Sequence, residues 1–275
     1  MVDADPTHTQ ALQLLGQALL KQRDIEAAAE CFQRVLALEP RNLRALESYG
    51  DVLYRRGDLE SARTIYTSCL AGGDHDSKIE DKLAALAFAR EHLRRCRSFR
   101  FRADLLSHSL AVARPDGLVL ELGVAAGASL RFLASQTGEP VYGFDSFAGL
   151  PADWQPGFPA GSLAQAEPPS DLPPNAHLVI GMFEDTLSAF AASHSGPVRF
   201  LHIDCDLYES TKIAFDAFGD RLVAGSVIVF DELLTYPGWR DHEYRAFQEF
   251  ISRTRRPFDH IAWIPGGTQV AVRMA

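Results

Sequence analysis

A short apolar run closed by glycines, within residues 117–134, most constrains how this chain can fold. The run Leu118 to Leu120 is typical of a strand buried on both faces of a parallel sheet, and apolar residues then recur at helical spacing. Gly123 and Gly127 remove side chains where the backbone turns and where a ligand can approach the first free N–H groups of the helix. The stretch predicts strand, turn and helix around a nucleotide-like cofactor.

The spacing of the glycines narrows the choice of cofactor. Neither the dinucleotide pattern G-x-G-x-x-G nor the phosphate-loop pattern G-x-x-x-x-G-K-[ST] is present. Glu121 lies at the strand end, where its carboxylate would repel phosphate but suit a cationic or amino-acid-bearing ligand. An α/β turn without a ligand is the alternative. The segment resembles motif I of class I S-adenosylmethionine (SAM) methyltransferases, which implies that Glu121, Gly123, Gly127 and Ser129 bind SAM.

Composition excludes several classes of protein. A chain of 275 residues with 47% hydrophobic residues can bury sizeable cores, so we expect a globular protein. The formal net charge of -9 disfavours a nucleic-acid partner, because phosphate contacts need clustered lysine and arginine. The acidic start of the sequence and the lack of a run of about 18 apolar residues predict a cytoplasmic protein with no membrane partner.

The first seventy residues repeat with a period of 34. The residues Leu12, Gly16, Leu19, Asp24, Glu26, Ala28, Phe32 and Leu36 recur as Leu46, Gly50, Leu53, Asp58, Glu60, Ala62, Tyr66 and Leu70. This period resembles the tetratricopeptide (TPR) repeat of paired antiparallel helices. A helix from Ile79 to Leu93 could cap the two repeats, so residues 1–97 are predicted to form an all-α domain. Such a domain binds a protein partner, mediates self-association, or only packs as an appendage.

From about residue 98 the pattern alternates between strands and helices. The predicted strands after the first are Val141–Asp145, His177–Ile180, Val198–Asp204, Ser226–Phe230, Phe258–Ile264 and Thr268–Arg273. Residues 98–275 are therefore expected to form an α/β Rossmann-like doubly wound sheet, mostly parallel, with an antiparallel C-terminal hairpin. The segment 147–176 is long, rich in proline and glycine and without periodicity, which favours a substrate lid over a mere insertion.

Two further segments predict contacts to a nucleoside. Asp145 follows the first turn by about twenty residues, the spacing at which an acid reaches ribose hydroxyls, and Ser146 is beside it. This spacing serves NAD as well as SAM. Met182 and Phe183 would cover the adenine, although the acidic residues that follow also suit an ordinary helix start.

Acidic residues end two further strands. Asp204 and Asp206 follow one strand, and Asp231 and Glu232 follow another. Adjacent strand ends lie about 5 Å apart in a sheet, so these carboxylates should converge. Mutual repulsion then calls for a cation, and oxygen ligands alone favour Mg²⁺. Capping of the following helices is the alternative.

The C-terminal region resembles the macrocin O-methyltransferase family, which methylates hydroxyls, typically on sugars of secondary metabolites. The resemblance rests on the segments Gly143–Pro151, Asp204–Thr211 and Val227–Asp231. It implies that Asp204, Asp231 and Glu232 bind Mg²⁺, that Asp204 also lies against the cofactor, and that Asp206 is the general base. Glu232 departs from the family, which has aspartate there.

The predicted function is SAM-dependent, Mg²⁺-assisted O-methylation of a sugar, glycoside or other small polyol. The first alternative is a TPR interaction protein whose methyltransferase domain has lost catalysis. A nicotinamide oxidoreductase is disfavoured because the pyrophosphate fingerprint is missing.

Overall fold

The computed structural model describes residues 8–70 and 77–275, and the chain divides into two units. The first comprises the region up to residue 94 together with residues 265–267, and the second comprises residues 95–264 and 268–275. Within the described ranges, no helix has both the length and the apolar character that crossing a bilayer requires.

Side-chain caps determine where the helices of the first unit begin. These helices are α1 (Thr9–Lys21), α2 (Ile25–Leu38), α3 (Leu43–Arg55), α4 (Leu59–Leu70) and α5 (Ser77–Phe88), the last continuing as a π-helical turn over Ala89–Leu93. His8, Asp24, Asn42 and Asp58 each accept the backbone N–H three residues further on, which satisfies a donor that the first turn leaves open. His8 and Asn42 are 34 residues apart, as are Asp24 and Asp58. Equivalent helices of the two repeats therefore begin 34 residues apart, which is the period of the sequence.

Two glycines let the paired helices approach each other. A Cβ atom added to Gly16 would lie 2.6 Å from the ring of Phe32, and one added to Gly50 would overlap the ring of Tyr66. Both aromatic rings are fully buried. These equivalent contacts explain why a glycine and an aromatic residue recur at the same positions of each repeat.

Helix α5 is held against the second repeat by a partly buried cation. Lys82 Nζ lies 2.8 Å from Glu47 Oε1 and 2.7 Å from Asp51 Oδ1, and Asp51 also accepts a hydrogen bond of 2.5 Å from the hydroxyl of Tyr66. The ring that packs on Gly50 is thus fixed at its far end.

The second unit is built on one sheet. Its strands are β1 (Arg97–Ser98), β2 (Leu118–Leu122), β3 (Val141–Asp145), β4 (Ala176–Ile180), β5 (Val198–Ile203), β6 (Val227–Phe230), β7 (Phe258–Trp263) and β8 (Val270–Met274). Its helices are α6 (Arg102–Val112), α7 (Ala128–Ser135), α8 (Phe183–Ser193), α9 (Tyr208–Phe218) and α10 (Glu243–Thr254). Within residues 77–275 the strand order is β1-β7-β8-β6-β5-β2-β3-β4, and β8 alone runs antiparallel. The mostly parallel sheet with an antiparallel C-terminal hairpin is confirmed.

The register of three neighbouring strands shows which residues emerge together at one edge of the sheet. β5 pairs on one side with β2 and on the other with β6, and Leu122, Ile203 and Phe230 are aligned across the three strands. The residue after each of them therefore emerges at the same edge of the sheet. Strand β1 was not predicted, because two exposed residues carry no periodicity.

Replacing Gly50 by alanine tests the close helix contact. The added methyl group meets a ring whose hydroxyl is bonded to Asp51, so the free energy of unfolding should fall by about 1–3 kcal/mol. Arg44→Ala, at an exposed position of the same helix, is the control. Urea unfolding followed by circular dichroism measures both variants, and equal stability of the two would contradict the packing argument.

Candidate active site

A cavity of about 380 Å³ lies at the carboxyl ends of the parallel strands. Its walls include eight residues predicted for the site, namely Gly123, Asp145, Ser146, Met182, Phe183, Asp204, Asp206 and Glu232. The other four, Glu121, Gly127, Ser129 and Asp231, are not among the lining residues. The long connection between β3 and β4 supplies a further part of the wall, including Leu150, Trp154 and Phe158.

The turn after β2 is fixed by Asp145. Its Oδ2 accepts the N–H groups of Val124 and Ala125, both at 2.8 Å, and its Oδ1 accepts that of Phe147 at 2.7 Å. A carboxylate offers about four acceptor positions, so one remains for a ligand hydroxyl. Gly123 has a φ of +90°, and a Cβ there would overlap the carbonyl oxygen of Asp204. The close approach that requires this glycine is therefore to β5 itself.

Gly127 and Ser129 lie beside this turn without reaching the cavity. Gly127 precedes α7 with a φ of +79°, and a Cβ on it would meet the ring of Pro169 at 2.9 Å. Ser129 is in the first turn of α7 and partly buried. Neither position supplies a cavity wall, so their assignment to the cofactor stays a prediction.

Glu121 faces a buried histidine. Register places it directly opposite His202, and its Oε1 lies 2.9 Å from His202 Nδ1. Both side chains have no exposed surface. The other nitrogen of His202 lies 3.4 Å from Oδ1 of Asp231. The glutamate predicted to bind SAM thus belongs to an interior chain of charges beneath the cavity.

The acids that follow β5 and β6 converge. Oxygens of Asp204, Asp231 and Glu232 lie within 4.8 Å of one another. Asp206 is buried in the cavity wall and has a φ of +64°, a conformation that aspartate tolerates better than most residues. The backbone N–H of Glu232 is bonded at 3.2 Å by Oε2 of the fully buried Glu243. The expected meeting of carboxylates is present.

A cation that the sequence did not reveal lies among these acids. The Arg102 guanidinium is paired with Asp204 through Nη2, and its Nε lies 2.5 Å from Oδ1 of Asp231. The amide of Gln269 donates to the second oxygen of Asp231 at 3.1 Å. Arg102 is one of several arginines between residues 94 and 102, in no recognisable motif, so no sequence signal distinguishes it.

Burial sets the acidities at this edge. It raises the pKa of Asp206 to about 7, with smaller contributions from the charges of Asp204 and Asp231. Burial and the neighbouring acids hold the pKa of Glu232 and of Glu243 well above the ordinary range. Burial would also raise the pKa of Asp231, but its bond to His202 and the charge of Arg102 lower it. Burial, together with the charge of Asp231, also raises the pKa of Asp204 to about 6, so Asp206 is the wall carboxylate whose pKa lies closest to neutrality.

Comparison with known proteins identifies the domains. Sequence models of a tetratricopeptide repeat and of a methyltransferase domain match residues 14–76 and 120–233, respectively. The chain thus carries a TPR repeat and a SAM-dependent methyltransferase domain. No curated protein sequence matches it.

Solved structures of methyltransferases are similar to this chain, and the first described here shares its fold. CalS11, a calicheamicin methyltransferase, is 21% identical, with 78% of this chain and 91% of that chain covered and a TM-score of 0.51. The O-methyltransferase NovP is 19% identical, with 62% and 78% covered and a TM-score of 0.48. An O-methyltransferase from Bacillus cereus in complex with SAH is 17% identical, with 79% and 99% covered and a TM-score of 0.43.

The residues around the methyltransferase cavity suit SAM better than a metal. The wall offers the glycine turn, a spare acceptor position on Asp145, and the apolar side chains of Met182 and Phe183 for a nucleoside. At the acidic edge, both oxygens of Asp231 are already bonded and Asp204 is paired with Arg102. The three carboxylates match Mg²⁺ in chemistry, but as arranged two of them already have a counter-ion.

His202→Ala tests the interior charge chain of the methyltransferase. Burial alone would lower the pKa of His202, but its bonds to Asp231 and Glu121 raise it to about 10. Removal leaves two buried carboxylates without this cation, so the free energy of unfolding should fall by about 3–5 kcal/mol at pH 6. His177→Ala, at an exposed position of β4, should cost far less.

The raised pKa of His202 also predicts how the destabilisation caused by His202→Ala changes with pH. A raised folded-state pKa gives stabilisation that is complete below the unfolded pKa of about 6.5 and is lost as pH rises through about 10. The difference between wild type and His202→Ala should therefore shrink from pH 6.5 to 10 in chemical denaturation. A constant difference across that range would show that His202 is not charged.

Proposed function

We propose that the methyltransferase transfers the methyl group of SAM to a hydroxyl of a sugar or other small polyol. The observation that carries the proposal is Asp206, a buried carboxylate with a pKa near 7 in the wall of the cavity that the predicted cofactor residues also line. A group of this pKa is half ionised at neutral pH and is a stronger base than an ordinary aspartate.

The residues that line one end of the cavity suit the parts of SAM. Asp145 and Ser146 bind the ribose hydroxyls, Met182 and Phe183 cover the adenine, and the backbone at Gly123 lies against the methionine end. SAM supplies a sulfonium that activates the methyl group for in-line displacement. Glu121 contributes indirectly, because it orients His202 beneath the edge.

Asp206 performs the acid–base step. Its carboxylate would accept the hydroxyl proton as the acceptor oxygen bonds to the methyl carbon and the carbon–sulfur bond of SAM breaks, with the electron pair of that bond kept by the departing thioether. The proton then leaves Asp206 to water. The wall holds the acceptor oxygen in line, which removes much of the entropic cost of the encounter. Magnesium assistance through Asp204, Asp231 and Glu232 forms no step of this scheme, because Arg102 already pairs with the first two.

Aromatic side chains form the acceptor end. Trp154 lies 5.2 Å from the ring of Phe158 and 5.3 Å from that of Tyr236, measured between ring centroids. Flat aromatic walls pack against the C–H faces of a sugar ring, while Asp206 and Glu232 provide polar partners for its hydroxyls. This combination supports a sugar or polyol acceptor and gives the segment 147–176 the role of a lid.

The TPR repeat supports a second function beside catalysis. We propose that it binds a protein partner or a second copy of the chain, since stacked helical repeats present extended binding surfaces. A pure interaction protein would bind its partner equally well after loss of the cavity base.

Asp206→Asn separates the enzyme from the interaction protein. Asparagine tolerates the left-handed backbone of this position, so the variant removes the charge without adding strain. We expect methyl transfer from labelled SAM to a panel of glycosides to fall by about 10²–10⁴-fold, with SAM affinity unchanged. Glu209→Gln, an exposed acid three residues further on, is the control.

The dependence of the methyl-transfer rate on pH tests the same residue. In wild type the rate should rise with pH until Asp206 is ionised at about pH 7 and then level off, and this inflection should disappear in Asp206→Asn. An unchanged rate in the variant would exclude Asp206 as the base.

Exchanging Trp154 and Met182 for alanine distinguishes the two ends of the cavity. Trp154→Ala should raise KM for the acceptor and leave the Kd for SAM unchanged, because the ring packs with Phe158 and Tyr236. Met182→Ala should do the reverse. Calorimetry measures the SAM Kd and initial rates give KM, and identical effects of both variants would contradict the division.

A further inference from the structure

One arginine occupies the position between two strand ends where a counter-ion is required. Arg102 is the first residue of α6, and its side chain reaches the carboxylates of Asp204 and Asp231 at the ends of β5 and β6. About a third of the side chain is exposed. Burial would lower the pKa of Arg102, but these two acids keep it protonated.

We propose that Arg102 is the permanent counter-ion of this edge and takes the place of a divalent metal, so that the methyltransferase works without one. The inference deepens the proposed function, since it specifies how the acids beside Asp206 are neutralised. It assigns Arg102 a positioning role: the guanidinium fixes Asp204 and Asp231, while Asp206 faces the acceptor.

The geometry favours arginine over a bound ion. A guanidinium is planar and presents several donors in a rigid fork, so different nitrogens can contact the two carboxylates at once, as Nη2 and Nε do here. A magnesium ion bound by Asp204, Asp231 and Glu232 would use the same two carboxylates that Arg102 contacts. A magnesium ion would be a third cation beside Arg102 and His202, which already share Asp231, so it would meet like charges at short range.

The surroundings of Asp231 support the same conclusion. His202 and Arg102 lie on its first oxygen and Gln269 on its second, at 3.4, 2.5 and 3.1 Å. Metal coordination would break at least one of these contacts in a site where Asp231 is almost fully buried.

Metal binding is the first measurement, and it needs no knowledge of the acceptor. Isothermal titration with Mg²⁺, and with Mn²⁺ as a second probe, should give no saturable binding to wild type and no rise in Tm. Arg102→Met removes the charge while keeping an unbranched side chain, and it should gain saturable metal binding with a rise in Tm. Arg114→Met removes a partly buried arginine paired with Asp116 elsewhere in the unit and should behave as wild type.

Activity is the second measurement. Methyl transfer by wild type should be the same with EDTA and with Mg²⁺. Arg102→Met should lose at least about tenfold in EDTA and recover part of this when Mg²⁺ is added, since the ion restores the missing charge. Arg102→Lys keeps the charge without the fork and should remain independent of metal, with a lower rate. Arg102→Lys also tests the role of the arginine if Arg102→Met fails to fold.

Two results would overturn the inference. One is saturable Mg²⁺ binding to wild type, and the other is loss of wild-type transfer in EDTA that Mg²⁺ reverses. If wild type transfers no methyl group to any acceptor, the proposed function fails, while the metal titrations of wild type and Arg102→Met still decide the role of the arginine.

Discussion

The burial of several carboxylates at one edge of a parallel sheet is the constraint on which the second unit depends. Glu121, Asp204 and Asp231 emerge from neighbouring strands into an interior where unpaired charge is costly. Two cations lie among them. His202 bonds Glu121 and Asp231 from within the sheet, and Arg102 joins Asp204 to Asp231 from the start of α6. Acidic and cationic side chains therefore alternate from the core of the sheet to the cavity, and their contacts stabilise this edge.

A further carboxylate, outside this alternation, organises the cavity. Asp145 ties the turn after β2 to the end of β3, and Gly123 allows β5 to approach that turn. The backbone that forms the cavity floor is thus held in place by its hydrogen bonds to the carboxylate of Asp145. Backbone fixed in this way can hold the acceptor oxygen and the methyl donor in one geometry, which is what an in-line displacement requires.

Sequence patterns predicted the elements and the meeting of acids, because both follow from short-range periodicity and from the rule that parallel strands end at one edge. They did not predict which way each side chain faces. The motif predicts Glu121 as a cofactor ligand, and only strand register shows that it lies opposite His202. Gly123 was assigned to ligand approach, but the neighbouring strand already requires it. Arg102 lies 102 residues from Asp204 with no motif, and only the folded chain brings the two together.

A resident arginine changes how the acceptor is activated. A metal ion would lower the pKa of a hydroxyl by binding it, so an ordinary aspartate would suffice as the base. A guanidinium paired with two carboxylates does not bind the hydroxyl in this way, so the base must carry more of the step. Burial raises the pKa of Asp206 to about 7, close to the value at which a base is effective at neutral pH. The raised pKa of Asp206, which burial causes, thus complements an edge whose acids are neutralised by Arg102.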